Sequence, residues 1–278
     1  MMPANDLLHW TYTIALMLVA GGLAGFAAGL FGIGGGFVVV PALLAMLPLL
    51  GGSPNEVAHV AIGTSLATIV VTSLRSVQAH ARRDSVDFAM LKTWAPWIVA
   101  GVGAGVLLAS RISSQGLVII FGVGVILMAL HFLFPVLKGR HLSDDLPSGV
   151  GRAAIATGLG TFSSLLGIGG GTITTIVMTL CGRTIHRAIG TSSGVGFIIA
   201  VPGMIGFMAI GLGSHDLPTG SIGYVNVPAA LAIIATSIFT APVGVAAAHK
   251  LSPPLLKRIF GIYLLLIGYL MIRRGLGF

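Results

Sequence analysis

The stretch GLFGIGGGFVVVP, Gly29 to Pro41, puts five glycines (Gly29, Gly32, Gly34, Gly35 and Gly36) inside an uncharged run. Glycine costs a helix interior about 1 kcal/mol relative to alanine. Three in succession predict that the helix breaks there. A second stretch, SLLGIGGGTITT from Ser164 to Thr175, repeats the device.

The surroundings of both breaks are those of a bilayer. The 278 residues are 55% hydrophobic and only 8% charged, with a mean hydropathy of +1.02; a soluble domain carries roughly 25% charged residues. Uncharged runs cover Leu7–Asn55, Thr93–Ser110, Ile112–Leu137, Ala153–Gly182, Ala188–Asp216 (one acid at its very end) and Leu217–His249. Each is about as long as the roughly 20 residues of a bilayer span, or longer. The expected class is an all-α polytopic membrane protein. The net charge of +8 is read as Lys and Arg collected in cytoplasmic loops, not as a nucleic-acid interface, because no loop is long enough to form one. Cys181 is the single cysteine, so no intrachain disulfide forms. The N-terminus lacks the basic segment of a cleaved signal peptide, and a retained helix is expected from Thr11.

The chain reads as a doubled unit. GIGGG occupies 32–36 and 167–171, and HVAIGTS at 59–65 returns as HRAIGTS at 186–192. More weakly, GVLLASRIS (105–113) matches GVAAAHKLS (244–252), in the same order. The expected organisation is an N-terminal transmembrane repeat over 1–137, a polar cytoplasmic linker over 138–149 and a C-terminal repeat over 150–278. Each repeat is expected to be a broken, re-entrant hairpin at GIGGG (11–50 and 152–182) followed by three transmembrane helices. These are about 57–80, 88–110 and 114–137, then 186–212, 224–248 and 255–273. A hairpin returns to its own side and three spans end on the opposite side, so the second repeat starts inverted. With the N-terminus outside, twelve of the fifteen Lys and Arg fall in cytoplasmic segments, leaving Arg111, Arg273 and Arg274 outside, as the positive-inside bias requires. Loops 51–58 and 213–223 hold no Lys or Arg, as external loops should.

Unwound backbone survives in a bilayer only where it is buried or lines a wet cavity. Inverted-repeat transporters place broken helices near the midplane, with half-helix N-termini toward anionic groups. Gly34, Gly35, Gly36, Gly169, Gly170 and Gly171 fit that role. They allow left-handed backbone and close approach of a ligand, and the helices that follow begin with unpaired N–H groups. Close helix packing is the competing explanation, and it is the preferred one for Gly21, Gly22, Gly25 and Gly29. The spacing excludes a G-x-G-x-x-G dinucleotide fingerprint, since Phe37 and Thr172 stand where glycine would be needed, and no Walker A sequence occurs.

AIGTS supplies a second constellation. The hydroxyls of Thr64, Ser65, Thr191 and Ser192 could donate hydrogen bonds to an anion without a fixed charge, or bond back to their own helices. His59 and His186 recur five residues before each threonine, as interfacial polar residues or as gating and proton-sensitive sites. A serine-hydrolase reading lacks a carboxylate to orient a base, so no enzyme is expected.

The motifs GLFGIGGGFVVVP, HVAIGTSLATIVVTS, LLGIGGGTITT and RAIGTSSGV, in two halves of about 130 residues, resemble the TauE/SafE family of membrane permeases, also called the four-toluene-sulfonate uptake permease family. The resemblance implies a multi-pass transporter of the bacterial inner membrane for sulfur-containing anions such as sulfite, sulfoacetate or other organosulfonates. No cofactor or metal is implied. The partners implied are the anion and the lipid bilayer, with homo-oligomerisation open. All seven acids (Asp6, Glu56, Asp84, Asp87, Asp144, Asp145 and Asp216) map to loops or interfaces, leaving no buried carboxylate as an ion relay. An anion leaving a cell that is negative inside gains about 2.3 kcal/mol per charge per 100 mV, which favours export. An anion channel and an uptake carrier are the alternatives.

Overall fold

The structure is a computed structural model that describes residues 4–134, 143, 145–250 and 253–277. Residues 135–137 at the end of the expected first repeat, 138–142 and 144 of the linker, and 251–252 of the weaker sequence match lie outside the described residues. Among those described, ten α-helices follow in order: α1 (Ala4–Phe31), α2 (Gly36–Met46, continued by a 3-10 turn at Leu47–Leu50), α3 (Val57–Ala81), α4 (Phe88–Ala109), α5 (Ser114–Leu133), α6 (Gly149–Leu166), α7 (Gly171–Leu180), α8 (Ile185–Gly211), α9 (Val227–Lys250) and α10 (Pro253–Gly275). The chain is an all-α, integral, multi-pass membrane protein. Among the described residues, six helices, α1 from Tyr12 onward, α3, α4, α5, α8 and α9, are long and apolar enough to cross a bilayer. By contrast, α7 has 10 residues, and at about 1.5 Å per residue it covers roughly half of a hydrocarbon core.

The helix starts divide by chemistry. Outside the glycine motifs, side chains cap four of the starts, while Glu56 before α3 and Ser148 before α6 make no such bond. Asp87 accepts from the Met90 N–H, Ser113 from Gly116, Thr184 from Arg187 and Asn226 from Ala229. Each satisfies one of the N–H groups that a helix leaves unpaired at its start. At the motifs the capping residue is a left-handed glycine instead, Gly35 (φ 83°) before α2 and Gly170 (φ 64°) before α7. The sequence places a helix start at 224. The structure starts α9 at Val227, because Ser221–Ile222 (β1) and Val225–Asn226 (β2) pair as a two-stranded antiparallel ribbon and Pro228 suits the first helical turn.

Helix pairing is reciprocal between the two stretches of chain. The first helix, α1, packs on α9, and α6 packs on α4. In the first pair, Gly21, Gly25 and Gly29 face the backbone of Ile233, Ser237 and Ala241 in increasing order, so α1 and α9 run parallel. In the second, Gly101 and Gly105 meet Thr157 and Thr161 in increasing order, so α4 and α6 also run parallel. Small residues let these backbones touch, which bears out the packing explanation for Gly21, Gly25 and Gly29. Gly22 stands apart, with only the Thr240 methyl 4.0 Å from where a Cβ would be. The middle helices run the other way. Gly63, Ser73 and Ser76 of α3 meet Phe207, Gly196 and Ser193 of α8, an antiparallel register. Likewise Gly122 and Leu133 of α5 meet Gly268 and Gly261 of α10. Each hairpin folds back on itself by the same step, with Gly35 against Ala24 and Gly170 against Leu159.

Candidate functional site

The two glycine motifs meet at the centre of this packing. Each leaves its helix through a left-handed glycine, Gly32 (φ 68°) after α1 and Gly167 (φ 63°) after α6. The Gly169 N–H then donates to the Ile33 carbonyl at 3.2 Å, directly joining one motif to the other. A Cβ on Gly36 would run into the Gly167 carbonyl, and one on Gly171 into the Gly32 carbonyl. A Cβ on Gly34 would lie 3.3 Å from the Gly169 Cα. The sequence-predicted glycines are therefore brought together, backbone against backbone. The starts of α2 and α7 lie on the two sides of one crossing.

The AIGTS serines fasten this crossing. Ser65 Oγ of α3 donates to the Gly167 carbonyl at 2.8 Å. Ser192 Oγ of α8 donates to Ile189 O at 2.8 Å and lies 3.2 Å from the Gly32 carbonyl. Thr72 adds a bond from its hydroxyl to Gly34 O at 3.2 Å. Carbonyls freed from a helix need donors in a bilayer, and these hydroxyls supply them, Ser65 and Ser192 across the two halves of the chain and Thr72 within the first.

The threonines do something different. Thr64 Oγ1 accepts the Asn226 N–H, and Thr191 Oγ1 accepts the Asp87 N–H, both at 2.8 Å. Beside them, Gly63 lies against the Tyr224 carbonyl and Gly190 against the Ser85 carbonyl, too close for a Cβ. Asn226 and Asp87 are the caps of α9 and α4. Thus each Gly-Thr pair anchors the start of a helix that belongs to the opposite half. Sequence reading missed Asp87, Asn226 and Tyr224. The signal for the first two was present, since an Asp or Asn just before an apolar run marks a helix start.

The two recurrent histidines part company. Buried His59 bonds through Nε2 with the Ala109 carbonyl at 3.1 Å and stacks on Tyr224. Burial pushes the Tyr224 hydroxyl pKa above its usual value. His186 is exposed and stacks on His249, with ring centroids 4.7 Å apart; His249 in turn meets His80. The stretches that meet at the crossing, 57–74, 153–166, 171–180 and 188–211, contain no Asp, Glu, Lys or Arg. Among the described residues no three His, Cys, Asp or Glu side chains gather as a metal site.

Several buried hydroxyls have no hydrogen-bond partner: Ser73 Oγ, Ser163 Oγ, Thr172 Oγ1 and Thr175 Oγ1. None was singled out from the sequence. Comparing the flanks of the two motifs, FVVV against TITT, would have found two of them.

A family model described as sulfite exporter TauE/SafE matches residues 17–271. A probable membrane transporter protein of Haemophilus influenzae is 36% identical over 257 residues, covering 91% of this chain and 96% of the relative. One from Bacillus subtilis is 30% identical over 95% of this chain and 99% of its own length. A third, from Methanocaldococcus jannaschii, is 27% identical over 93% and 95% respectively. No solved structure matches.

Proposed function

The chain belongs to the sulfite exporter TauE/SafE family, and from that premise we propose that this membrane transporter is a secondary carrier of small sulfur oxyanions, sulfite or a small organosulfonate, working in the export direction. The observation that carries the reading is the crossing itself. Two glycine-broken hairpins meet through Gly169 and Ile33, in a region without a charged side chain. The N–H groups at the starts of α2 and α7 are the anion-facing dipoles. Gly34–Gly36 and Gly169–Gly171 form the contact surface, and Thr64, Ser65, Thr191 and Ser192 frame it.

The repeats are inverted in this reading, with the N-terminus outside, the 138–149 linker in the cytoplasm and the protein in the inner membrane. The antiparallel runs of α3 with α8 and of α5 with α10 support inversion, because equivalent helices of parallel repeats would run the same way. Cysteines placed at Ser53 and Ser143 in a Cys181→Ser background should react with an impermeant thiol reagent from opposite sides; labelling from one side sinks the inversion. Export needs no coupling ion, because the membrane potential drives an anion outward.

Counterflow of labelled sulfite in proteoliposomes tests the function. Trans-stimulated exchange is the carrier's signature. Flux without trans-stimulation would make the protein a channel, and the absence of flux with both sulfite and methanesulfonate would end the reading.

A further inference from the structure

The spare hydroxyls are not scattered. Three that are more than nine-tenths buried surround one short segment, Gly169–Thr172. Ser163 Oγ, on α6, lies 2.9 Å from where a Cβ on the capping residue Gly170 would stand. Thr172 is in the first turn of α7, which Gly170 caps. Ser73 Oγ, on α3, faces Gly196, and Gly196 packs on Gly169. Their relative exposures are 0%, 7% and 1%, and their oxygens have no hydrogen-bond partner in the protein. Thr175 Oγ1 continues the row one turn along α7, on the Thr172 face.

A buried polar group without a partner is costly, and three around one helix start call for an explanation. Local packing does not supply it. The equivalent positions around the first motif are Ala28, Phe37 and Ala200, all buried and all without a hydroxyl. The fold closes the crossing there with no polar side chain at these places. By contrast the Ser65 proton goes to Gly167 O, and that of Ser192 to Ile189 O and Gly32 O.

We propose that Ser73, Ser163 and Thr172, together with the N–H groups at the start of α7, are the hydrogen-bond donors to the transported anion, and that this site takes a singly charged oxyanion. The proposal rests on the transport reading above and makes the site one-sided, on the second motif rather than shared equally between the two. The charge follows from the surroundings. Hydroxyls and a helix start offer partial charges only; α7 carries no Lys or Arg, the basic residues of α6 and α8 lie in their first turns at Arg152 and Arg187, and Arg75, two residues beyond Ser73 on α3, is exposed on another face. Doubling the charge of a buried ion raises its desolvation cost about fourfold, as charge squared, with no cation here to offset it. A sulfonate or hydrogen sulfite meets this condition. Sulfate does not, nor does sulfoacetate with its added carboxylate.

Purified, reconstituted protein tests both parts. Ser73→Ala, Ser163→Ala and Thr172→Val should each weaken the apparent affinity for methanesulfonate about ten- to a hundredfold, as expected for a lost donor to a charged partner. Without anion, their melting temperatures should equal or exceed wild type, because each change removes an unsatisfied hydroxyl. Methanesulfonate should compete with labelled sulfite far better than sulfate or sulfoacetate, and sulfite should bind more tightly as falling pH converts it to hydrogen sulfite. Wild-type affinity in all three variants, or affinity lost in step with melting temperature, overturns the donor assignment. Equal competition by sulfate overturns the charge assignment. In either case a transporting wild type leaves the transport reading intact, whereas a wild type that carries neither sulfite nor methanesulfonate overturns both.

Discussion

The two glycine motifs share the ends of one backbone turn, differ at its middle, where Gly34 (φ 76°) is left-handed and Gly169 is not, and differ again in the side chains around it. In both, a left-handed glycine ends a long helix, another caps a short one, and the last glycine presses on a carbonyl of the opposite motif. Around the first motif the walls are Ala28, Phe37, Val40 and Ala200; around the second the equivalent places hold Ser163, Thr172, Thr175 and Ser73. The glycines therefore answer to the crossing, which both halves need. The hydroxyls, Ser73 from the first half and the other three from the second, gather around one motif only.

The shared part gives the largest expected effect. Gly36→Ala and Gly171→Ala each push a methyl onto a backbone carbonyl that cannot rotate away. Overpacking of a tight core costs about 1–3 kcal/mol and occasionally more; here both losses should reach about 3 kcal/mol. Melting temperature in detergent and the yield of folded protein measure them. Comparable damage in the two variants supports a reciprocal crossing. If one glycine tolerates alanine while the other does not, the motifs are not equivalent even in backbone.

The divergent part is tested by opposite, isosteric swaps at equivalent positions. Val40→Thr buries a hydroxyl where none is provided for and should cost about 1–3 kcal/mol. Thr175→Val removes an unpartnered hydroxyl and should be neutral or stabilising by about 1 kcal/mol. Thermal unfolding of the two proteins, free of anion, should move in opposite directions. The same direction in both would mean that the apolar and polar walls are interchangeable, and the contrast between the motifs would lose its meaning.

How far the sequence carried this picture depends on the range of the interaction. Both helix breaks, the fold-back of the hairpins and most helix bounds were legible, because consecutive glycines and uncharged runs act locally. The recurrence of GIGGG and AIGTS was legible as well. The partners of those motifs were not. Ser65 bonds to a carbonyl 102 residues away and Thr64 to an N–H 162 residues away, and no local pattern announces such a pairing. The sequence offered Thr64, Ser65, Thr191 and Ser192 as donors to an anion, with bonds inside the protein as the alternative. In the structure all four take part in hydrogen bonds across the two halves. The short ribbon at Ser221–Asn226 went unread because two-residue strands carry too little alternation to signal themselves.

The AIGTS threonines bring the comparison to a place where the halves agree. Thr64→Val and Thr191→Val keep the shape and withdraw the acceptor from the Asn226 and Asp87 N–H groups. An N–H left without a partner in a buried setting should cost about 1–2 kcal/mol in each case. Similar drops in melting temperature, with anion affinity near wild type, fit two matched helix anchors. A loss of anion affinity at unchanged melting temperature would instead put these hydroxyls in the anion path.

The smallest effect concerns the caps that those threonines hold. Asn226 caps α9 with an amide oxygen, while Asp87 caps α4 with a carboxylate that also pairs with Arg187 at 3.3 Å. The Arg187 side chain is 48% exposed, so water screens the pair and its worth should be below about 1 kcal/mol. Asn and Asp serve about equally as helix caps. Asp87→Asn therefore gives the first half the capping residue of the second, keeps the bond to the Met90 N–H and gives up only the ion pair. Its melting temperature should fall slightly, and the fall should vanish in high salt, because screening removes the same interaction from the wild type. Asp87→Ala loses the cap as well and should cost about 1 kcal/mol more, with no salt dependence in that added part. If Asp87→Asn proves as damaging as Asp87→Ala, the negative charge itself is required at this helix start. The two caps would then differ in kind rather than in strength.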